Sequence, residues 1–216
     1  MIGGAAAGNE ADRRLFAERY VPVARAYLLA RWAGTRMLGE VDDAIQEVFV
    51  EAFREGGALG KAAPGWTGGF RGFFLGVVRN VALRSESRRR KGEQNLEALA
   101  ESASNQADEQ HLSRIFDRAW AQAVMREAAE RMRIEAAAGG DESLRRVDLL
   151  RLRFSDGMPI RRIAQLWNAD AADLHREYAR ARKEFRQALE RTISEQEPAG
   201  GQPLERRIAD VLDLLQ

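Results

Sequence analysis

Apolar residues recur at helical spacing along most of this chain. In Val41–Phe53 they follow the i, i+3, i+4, i+7 rule without a miss, at Val41, Ala44, Ile45, Val48, Phe49, Ala52 and Phe53. A helix is also predicted over Leu15–Trp32, interrupted only by Pro22. Prolines are sparse (5 in 216 residues), so long stretches are free to be helical. The pattern therefore predicts an all-α fold.

The segment Phe70–Lys91 joins an apolar stripe to a basic cluster. The stripe consists of Phe70, Phe73, Phe74, Val77, Val78 and Val81. The basic residues are Arg71, Arg79, Arg84, Arg88, Arg89, Arg90 and Lys91, against a single acid, Glu86. Such a helix can hold phosphates and offer aromatic faces to unstacked bases. It can equally be a core helix with a solvated basic end, and the residues alone leave both readings open.

A polar, acidic stretch without lysine or arginine, Gly92–Gln110, is typical of a linker. We therefore expect two small helical domains joined by a flexible acidic linker. The predicted boundaries are a flexible tail over residues 1–11, a first domain over 12–91, the linker over 92–111, a second domain over 112–193, and a spacer with a short helix over 194–216.

The second domain contains a helix-turn-helix pattern. Helices are predicted over Ser113–Ala138 and Glu142–Phe154, followed by a short helix over Ile160–Trp167 that begins after Pro159. Asn168 suits the left-handed conformation of a tight turn, and Asp170 is a natural N-cap for the next helix. The buried face of that helix is predicted at Leu174, Tyr178, Ala181, Phe185 and Leu189. A plain helical hairpin would have the same apolar positions, but the basic outer face favours DNA binding.

A short amphipathic stripe ends the chain after a spacer rich in proline and glycine. It consists of Leu204, Ile208, Val211, Leu212 and Leu215. A helix this short needs something to pack on, either the rest of the chain or a partner.

Composition excludes several functions. The chain has no cysteine, which removes disulfides, thiolate metal sites and cysteine nucleophiles. His111 and His175 lie in different segments without metal-ligand spacing, so no metal or cofactor is expected. Gly56–Ala62 approaches a phosphate loop but has Glu55 in place of the first glycine and ends in alanine, so we expect a flexible connection and no enzyme. With no signal peptide and no membrane span in the sequence, the expected location is the cytoplasm.

The net charge of +1 says little about partners, but the charges are segregated. Asp43, Glu47 and Glu51 lie at i, i+4, i+8 on the polar side of Val41–Phe53. They form either a solvated face or a docking site for a basic surface. Paired catalytic carboxylates are a weaker reading, because the helix face is open and offers no pocket.

Together and in this order, these features resemble an extracytoplasmic-function sigma factor of bacterial RNA polymerase. The pattern of region two of that family is similar to Asp42–Phe53 and Phe70–Ala82, and the pattern of region four to Leu149–Ala164 and Ala179–Phe185. The resemblance implies a transcription initiation factor that binds core polymerase, reads promoter DNA and helps to open it.

The resemblance also implies roles for particular residues. Those expected to bind core RNA polymerase are Asp43, Gln46, Glu47 and Phe49. Those expected at the minus-ten element are Phe70, Phe73, Phe74, Arg79, Asn80, Arg84, Arg88, Arg89, Arg90 and Lys91, with Asn80 reading a flipped base. Those expected at the minus-thirty-five element are His175, Arg176, Ala179, Arg180 and Lys183. The free protein is expected to be a monomer, and an anti-sigma or other regulatory protein is a further candidate partner.

The chain departs from the family at several positions. Trp167-Asn168 replaces a leucine-glycine turn, and Asp173 and Glu177 stand where threonine and a basic residue are common. The tryptophan, the long helix before region four and the tail beyond Pro198 are similar to those of atypical, planctomycete-like sigma factors. Two alternatives stay open. One is a stand-alone helix-turn-helix regulator, and the other is a sigma-like protein that docks on polymerase but has lost promoter recognition.

Overall fold

The structure is a computed structural model that describes residues 2–54, 69–92, 106–196 and 203–215. Within these ranges the chain is helical and has no strand, which confirms the predicted all-α class. The helices are α1 (Ile2–Ala6), α2 (Glu10–Arg31), a short 3-10 helix (Arg36–Glu40), α3 (Val41–Phe53), α4 (Gly69–Gly92), α5 (Gln106–Gly139), α6 (Asp141–Phe154), α7 (Ile160–Leu166), α8 (Ala171–Gln196) and α9 (Leu204–Asp213).

The chain divides into two compact units, and the boundary between them falls inside α5. The first unit comprises residues 1–123 and 195–216, and the second comprises 124–194. We expected a linker over 92–111, but α5 already begins at Gln106, so the end of that segment is helical. Residues 93–105 lie outside the described ranges, and a flexible linker there stays a prediction.

The first unit is built around aromatic rings. Helix α2 packs on α1, α3 and α4. Phe16 and Tyr20 of α2 lie 4.6 Å apart between ring centroids, and Trp120 of α5 stacks on Tyr20 at 4.8 Å. Phe74 of α4 is fully buried and completes the cluster. Residues 112–123 were expected in the second domain, but Phe116 and Trp120 place them in this core.

The two ends of the chain also belong to the first unit. A flexible tail was expected over residues 1–11, yet Ile2–Ala6 form α1 and α2 begins at Glu10. Ala5 is buried, and Arg13 Nε donates a hydrogen bond to its carbonyl oxygen at 3.1 Å. In α9, Ile208 and Val211 are buried, so the predicted C-terminal stripe packs on this chain.

Helix α2 passes through Pro22 without ending. Proline cannot donate the backbone hydrogen bond that the carbonyl of Glu18 would otherwise accept. Both residues are exposed, so water can replace that bond, and the apolar face of the helix continues through Val23, Ala24 and Tyr27.

In the second unit, one apolar cluster holds α6, α7 and α8 together. Its buried members are Leu149, Ile160, Ile163, Ala164 and Leu174. A neighbouring cluster brings Met132 of α5 against Leu150 of α6 and Ala181 and Ala188 of α8. Both clusters leave the outer face of α8 exposed.

Candidate nucleic-acid and protein interfaces

The aromatic residues of α4 are part of the core of the first unit. Phe74 is fully buried, and Phe70 and Phe73 are each 8% exposed. Phe70 lies 5.7 Å from Trp120 and 5.9 Å from Phe16 between ring centroids. In this conformation the three rings are not available to stack on bases. As core residues they hold α4 in place.

The polar residues of α4 lie on its remaining faces. Arg79, Asn80, Arg84, Arg88 and Lys91 are exposed, and Arg89 and Arg90 are half-buried. Arg90 Nε donates a hydrogen bond to the carbonyl oxygen of Glu86 at 3.4 Å. The basic residues predicted to hold nucleic acid are therefore brought together on one helix, with Asn80 among them.

Acids of α3 and the 3-10 helix pair with these arginines. Glu47 lies 3.6 Å from Arg84 and accepts a hydrogen bond from Arg88. Glu51 also lies 3.6 Å from Arg84, and Glu40 lies 3.5 Å from Arg89. Glu47, which is predicted to bind polymerase, and Arg84 and Arg88, which are predicted to bind DNA, thus neutralise each other. Spacing within α3 could not reveal this, because the partners lie on another helix.

The other residues predicted to bind polymerase differ in exposure. Asp43 and Gln46 are exposed, whereas Phe49 is buried against Phe16 and Phe53 and belongs to the core. Asp43 makes no ion pair with any residue that the structure describes. It helps to line a cleft of about 310 Å³ that has the 3-10 helix and α3 on one side and α4 on the other. The residues that line this cleft are Met37, Glu40, Asp43, Ala44, Glu47, Ser85, Arg88 and Arg89. This cleft has acids on one wall and arginines on the other.

A buried ionic network that sequence reasoning missed connects α2, α4 and α5. Arg31 has only 6% of its side chain exposed and contacts Glu86 at 2.6 Å and Glu109 at 2.7 Å. Trp32 Nε1 also donates to Glu86, at 2.9 Å. Burial alone would lower the pKa of Arg31, but the hydrogen bonds to Glu86 and Glu109 raise it. The one feature of the sequence that could have indicated this network was Glu86, the sole acid in the otherwise basic segment Phe70–Lys91.

The turn between α7 and α8 has the predicted local geometry. Helix α7 ends at Leu166, and Asn168 has a positive φ of 46°, in the left-handed region that asparagine tolerates. Asp170 Oδ1 accepts hydrogen bonds from the backbone N–H groups of Ala172 at 2.8 Å and Asp173 at 3.0 Å. Both helices also contribute to the same apolar cluster. The segment is thus a helix, a four-residue turn and a longer helix, the element order and turn length of a helix-turn-helix.

All five residues predicted to face the major groove are exposed on α8: His175, Arg176, Ala179, Arg180 and Lys183. Two of them pair with acids of the same helix. Arg176 contacts Asp173, and Arg180 lies 3.0 Å from Glu177. Lys183 has no partner among the described residues. The surface is therefore basic, but acids of α8 itself neutralise part of its charge.

Arg146 of α6 forms ion pairs with two of the acids on α8. Its guanidinium lies 2.9 Å from Glu184 and 3.3 Å from Glu177. The hydrogen bond to Glu184 is the main reason that the pKa of Arg146 is raised. Glu177, which stands where a basic residue is common in the family that the chain resembles, therefore has two arginine partners, Arg146 and Arg180, that offset its charge.

Neither histidine lies in a group suited to a metal ion. His111 and His175 are both exposed, and the described residues contain no cluster of three or more histidine, aspartate or glutamate side chains that could hold one. Within the same ranges, every helix is too short or too polar to cross a bilayer. Comparison of the chain with protein-family models, curated proteins and solved structures finds no match.

Proposed function

We propose that this protein is a bacterial transcription initiation factor of the sigma type. In this proposal α3 docks on core RNA polymerase, α4 holds the minus-ten element and α8 contacts the minus-thirty-five element. The observation that carries the proposal is the arrangement of α7, a four-residue turn and the longer, basic α8 in the second unit. Asn168 and Asp170 form its turn, and a basic outer face on α8 stays free of the core.

The first unit supports the same function with an independent feature. An acidic helix lies directly beside an arginine-rich one, with Asp43 exposed and Glu47 half-buried between them. Opposite charges on adjacent helices suit a protein that binds a basic protein surface and a polyanion at neighbouring sites. A stand-alone regulator would need only the second unit for its DNA contact.

One observation favours a second candidate, a polymerase-docking protein without promoter recognition. Arg176 and Arg180, the arginines expected to reach base edges, are each paired with an acid three residues earlier on α8. DNA must displace Asp173 and Glu177 before these arginines can make bidentate contacts. Polymerase binding without specific upstream DNA binding would identify this case.

The test is association of the purified protein with bacterial core RNA polymerase in gel filtration at moderate salt. Glu47→Arg should abolish co-elution, because it reverses a charge in the proposed docking surface. Glu130→Arg is the matched control, since Glu130 is an exposed acid of α5 that pairs only with Arg133 among the described residues. Circular dichroism should show that both variants keep their helical content.

Three outcomes decide the matter. Co-elution of the wild type and the control but not of Glu47→Arg supports docking through α3. Co-elution of all three proteins contradicts that docking site. If none co-elutes, a stand-alone regulator is the better explanation, and duplex DNA alone becomes the ligand to test.

A further inference from the structure

Helices α4 and α5 are joined by two ion pairs in matching register. Arg71 lies 2.9 Å from Asp117, and Arg79 lies 3.4 Å from Glu109. The two arginines are eight positions apart, and so are the two acids, in the opposite order along the chain. The first half of α5 therefore runs antiparallel to α4 and presents a carboxylate to each of these two arginines.

Aromatic contacts hold α5 in this position. Phe116 lies 6.1 Å from Phe74, and Trp120 lies 5.7 Å from Phe70, between ring centroids. Phe116 is fully buried and Trp120 is 5% exposed. Because separating the helices would expose these rings to water, α5 remains packed while the longer polar side chains are free to exchange partners.

The arginine side of each pair is the more accessible one. Arg79 is 52% exposed and Arg71 35% exposed, whereas Glu109 and Asp117 are 22% and 19% exposed. Arg79 also directly precedes Asn80, the residue expected to read a base. Exposed guanidinium groups can turn from a carboxylate toward a phosphate without any movement of the backbone.

We propose that Glu109 and Asp117 are internal competitors of nucleic-acid phosphates for Arg79 and Arg71, and that they set the affinity of α4 for single-stranded DNA. On binding, the two arginines exchange carboxylate partners for phosphates while α5 stays packed on α4. This inference rests on the proposed nucleic-acid role of α4. It does not depend on polymerase docking through α3.

Asp117 opposes the exchange because it lies where its charge depends on Arg71. Burial raises the pKa of Asp117 by more than the charge and hydrogen bond of Arg71 lower it, and loss of Arg71 to a phosphate would leave this carboxylate buried without that partner. Removal of the charge of Asp117 should therefore make Arg71 more available to a phosphate. The same competition predicts a shallow salt dependence in the wild type, since the released carboxylates take up cations while the phosphates lose them.

The experiment measures binding of a short fluorescein-labelled single-stranded DNA by anisotropy across a range of salt concentrations. Glu109→Gln with Asp117→Asn should bind roughly three- to tenfold more tightly than the wild type at low salt. Its salt slope should be steeper by about 0.7 for each arginine that gains a phosphate. Asp117→Asn alone, which leaves the Arg31 network intact, should show part of both effects.

The matched control removes two acids from the second half of the same helix. Glu130→Gln with Glu135→Gln releases Arg133 and Arg191 from their ion pairs and changes the net charge by the same amount. An equal gain in affinity by the control would overturn the inference, because it would show a general effect of charge. So would an unchanged salt slope in the Glu109/Asp117 variant, or a failure of every protein to bind the DNA. Co-elution with core polymerase is measured separately, so a failure of this inference is distinguishable from a failure of the proposed function.

Discussion

Arg88 of α4 donates a hydrogen bond to Glu47 of α3 and so connects the two surfaces for which we propose different partners. Arg84 approaches the same carboxylate to 3.6 Å. A basic protein surface that takes Glu47 would release both arginines, and a polyanion that takes the arginines would release Glu47. Binding at the two surfaces is therefore expected to be mutually favourable, since each partner removes a competitor of the other.

Glu47→Gln should separate these two effects. It should weaken binding of core polymerase and at the same time strengthen binding of single-stranded DNA by the free protein, each by about two- to fivefold, the range expected for one or two exposed ion pairs. Asp43→Asn is the control, because Asp43 lines the same cleft without an ion pair to any described residue. It should weaken polymerase binding only. Equal DNA affinities for the two variants would show that the Glu47 pairs do not compete with phosphates.

Asn80→Ala should reduce open-complex formation more than it reduces binding to core polymerase. Asn80 is exposed on α4 beside Arg79, so its amide can reach a flipped base without loss of any core contact. Permanganate footprinting of the melted region reports open-complex formation, and gel filtration reports polymerase binding. Wild-type footprints from the variant would remove Asn80 from the proposed recognition site.

Trp120→Ala should destabilise the first unit by about 3–5 kcal/mol, as expected when a large buried aromatic residue is truncated. Its ring stacks on Tyr20 at 4.8 Å and also contacts Phe70, Phe74 and Phe116. Phe154→Ala in the second unit, where Phe154 is 68% exposed, should cost less than about 1 kcal/mol. Urea unfolding followed by circular dichroism measures both. Similar losses for the two variants would contradict the docking of α5 in the aromatic core.

Glu86→Gln should lower the free energy of unfolding at neutral pH by about 1–3 kcal/mol, because it weakens charge-assisted hydrogen bonds to Arg31 and Trp32. Burial would raise the pKa of Glu86, but these hydrogen bonds and the charges of Arg31 and Arg90 bring it below its ordinary value of 4.5. A lowered carboxyl pKa stabilises the fold above 4.5, and this contribution is lost as the pH falls through the folded-state pKa. The difference between wild type and variant should therefore shrink below pH 4.5.

Asp117→Asn should change the free energy of unfolding in the opposite direction to Glu86→Gln. The pKa of Asp117 is raised, chiefly by burial, so its charge opposes folding at neutral pH and its protonation relieves this cost as the pH falls. The variant should be as stable as the wild type at neutral pH, or more stable. A loss of stability equal to that of Glu86→Gln would contradict the raised pKa of Asp117. Urea unfolding at several pH values makes the comparison.

Asn168→Ala should destabilise the second unit by about 1–2 kcal/mol, because alanine is disfavoured in the left-handed conformation that this position adopts. Asn168→Gly should stay close to the wild type, since glycine adopts a positive φ without a steric penalty. Thermal unfolding of the two variants tests the turn. If alanine is tolerated as well as glycine, the turn does not have the left-handed geometry that joins α7 to α8.

The sequence by itself determined α3 and the turn between α7 and α8, although it did not predict α1 or the first residues of α5. The bounds predicted for α3 match the structure at both ends, and the turn at Asn168 and Asp170 has the expected dihedral angle and cap. These features depend on hydrogen bonds and side chains within a few residues of each other, so the local pattern contains the information needed to predict them.

Only the tertiary structure decided which of these residues are free to act. Arg31 meets Glu86 and Glu109 across separations of 55 and 78 residues, and the rings of Phe70 and Phe74 are covered by Trp120 of a helix assigned to another domain. An arginine on a helix face looks the same in the sequence whether its partner is a phosphate, a neighbouring acid or water. The choice depends on which distant helix packs beside it, and no local spacing encodes that.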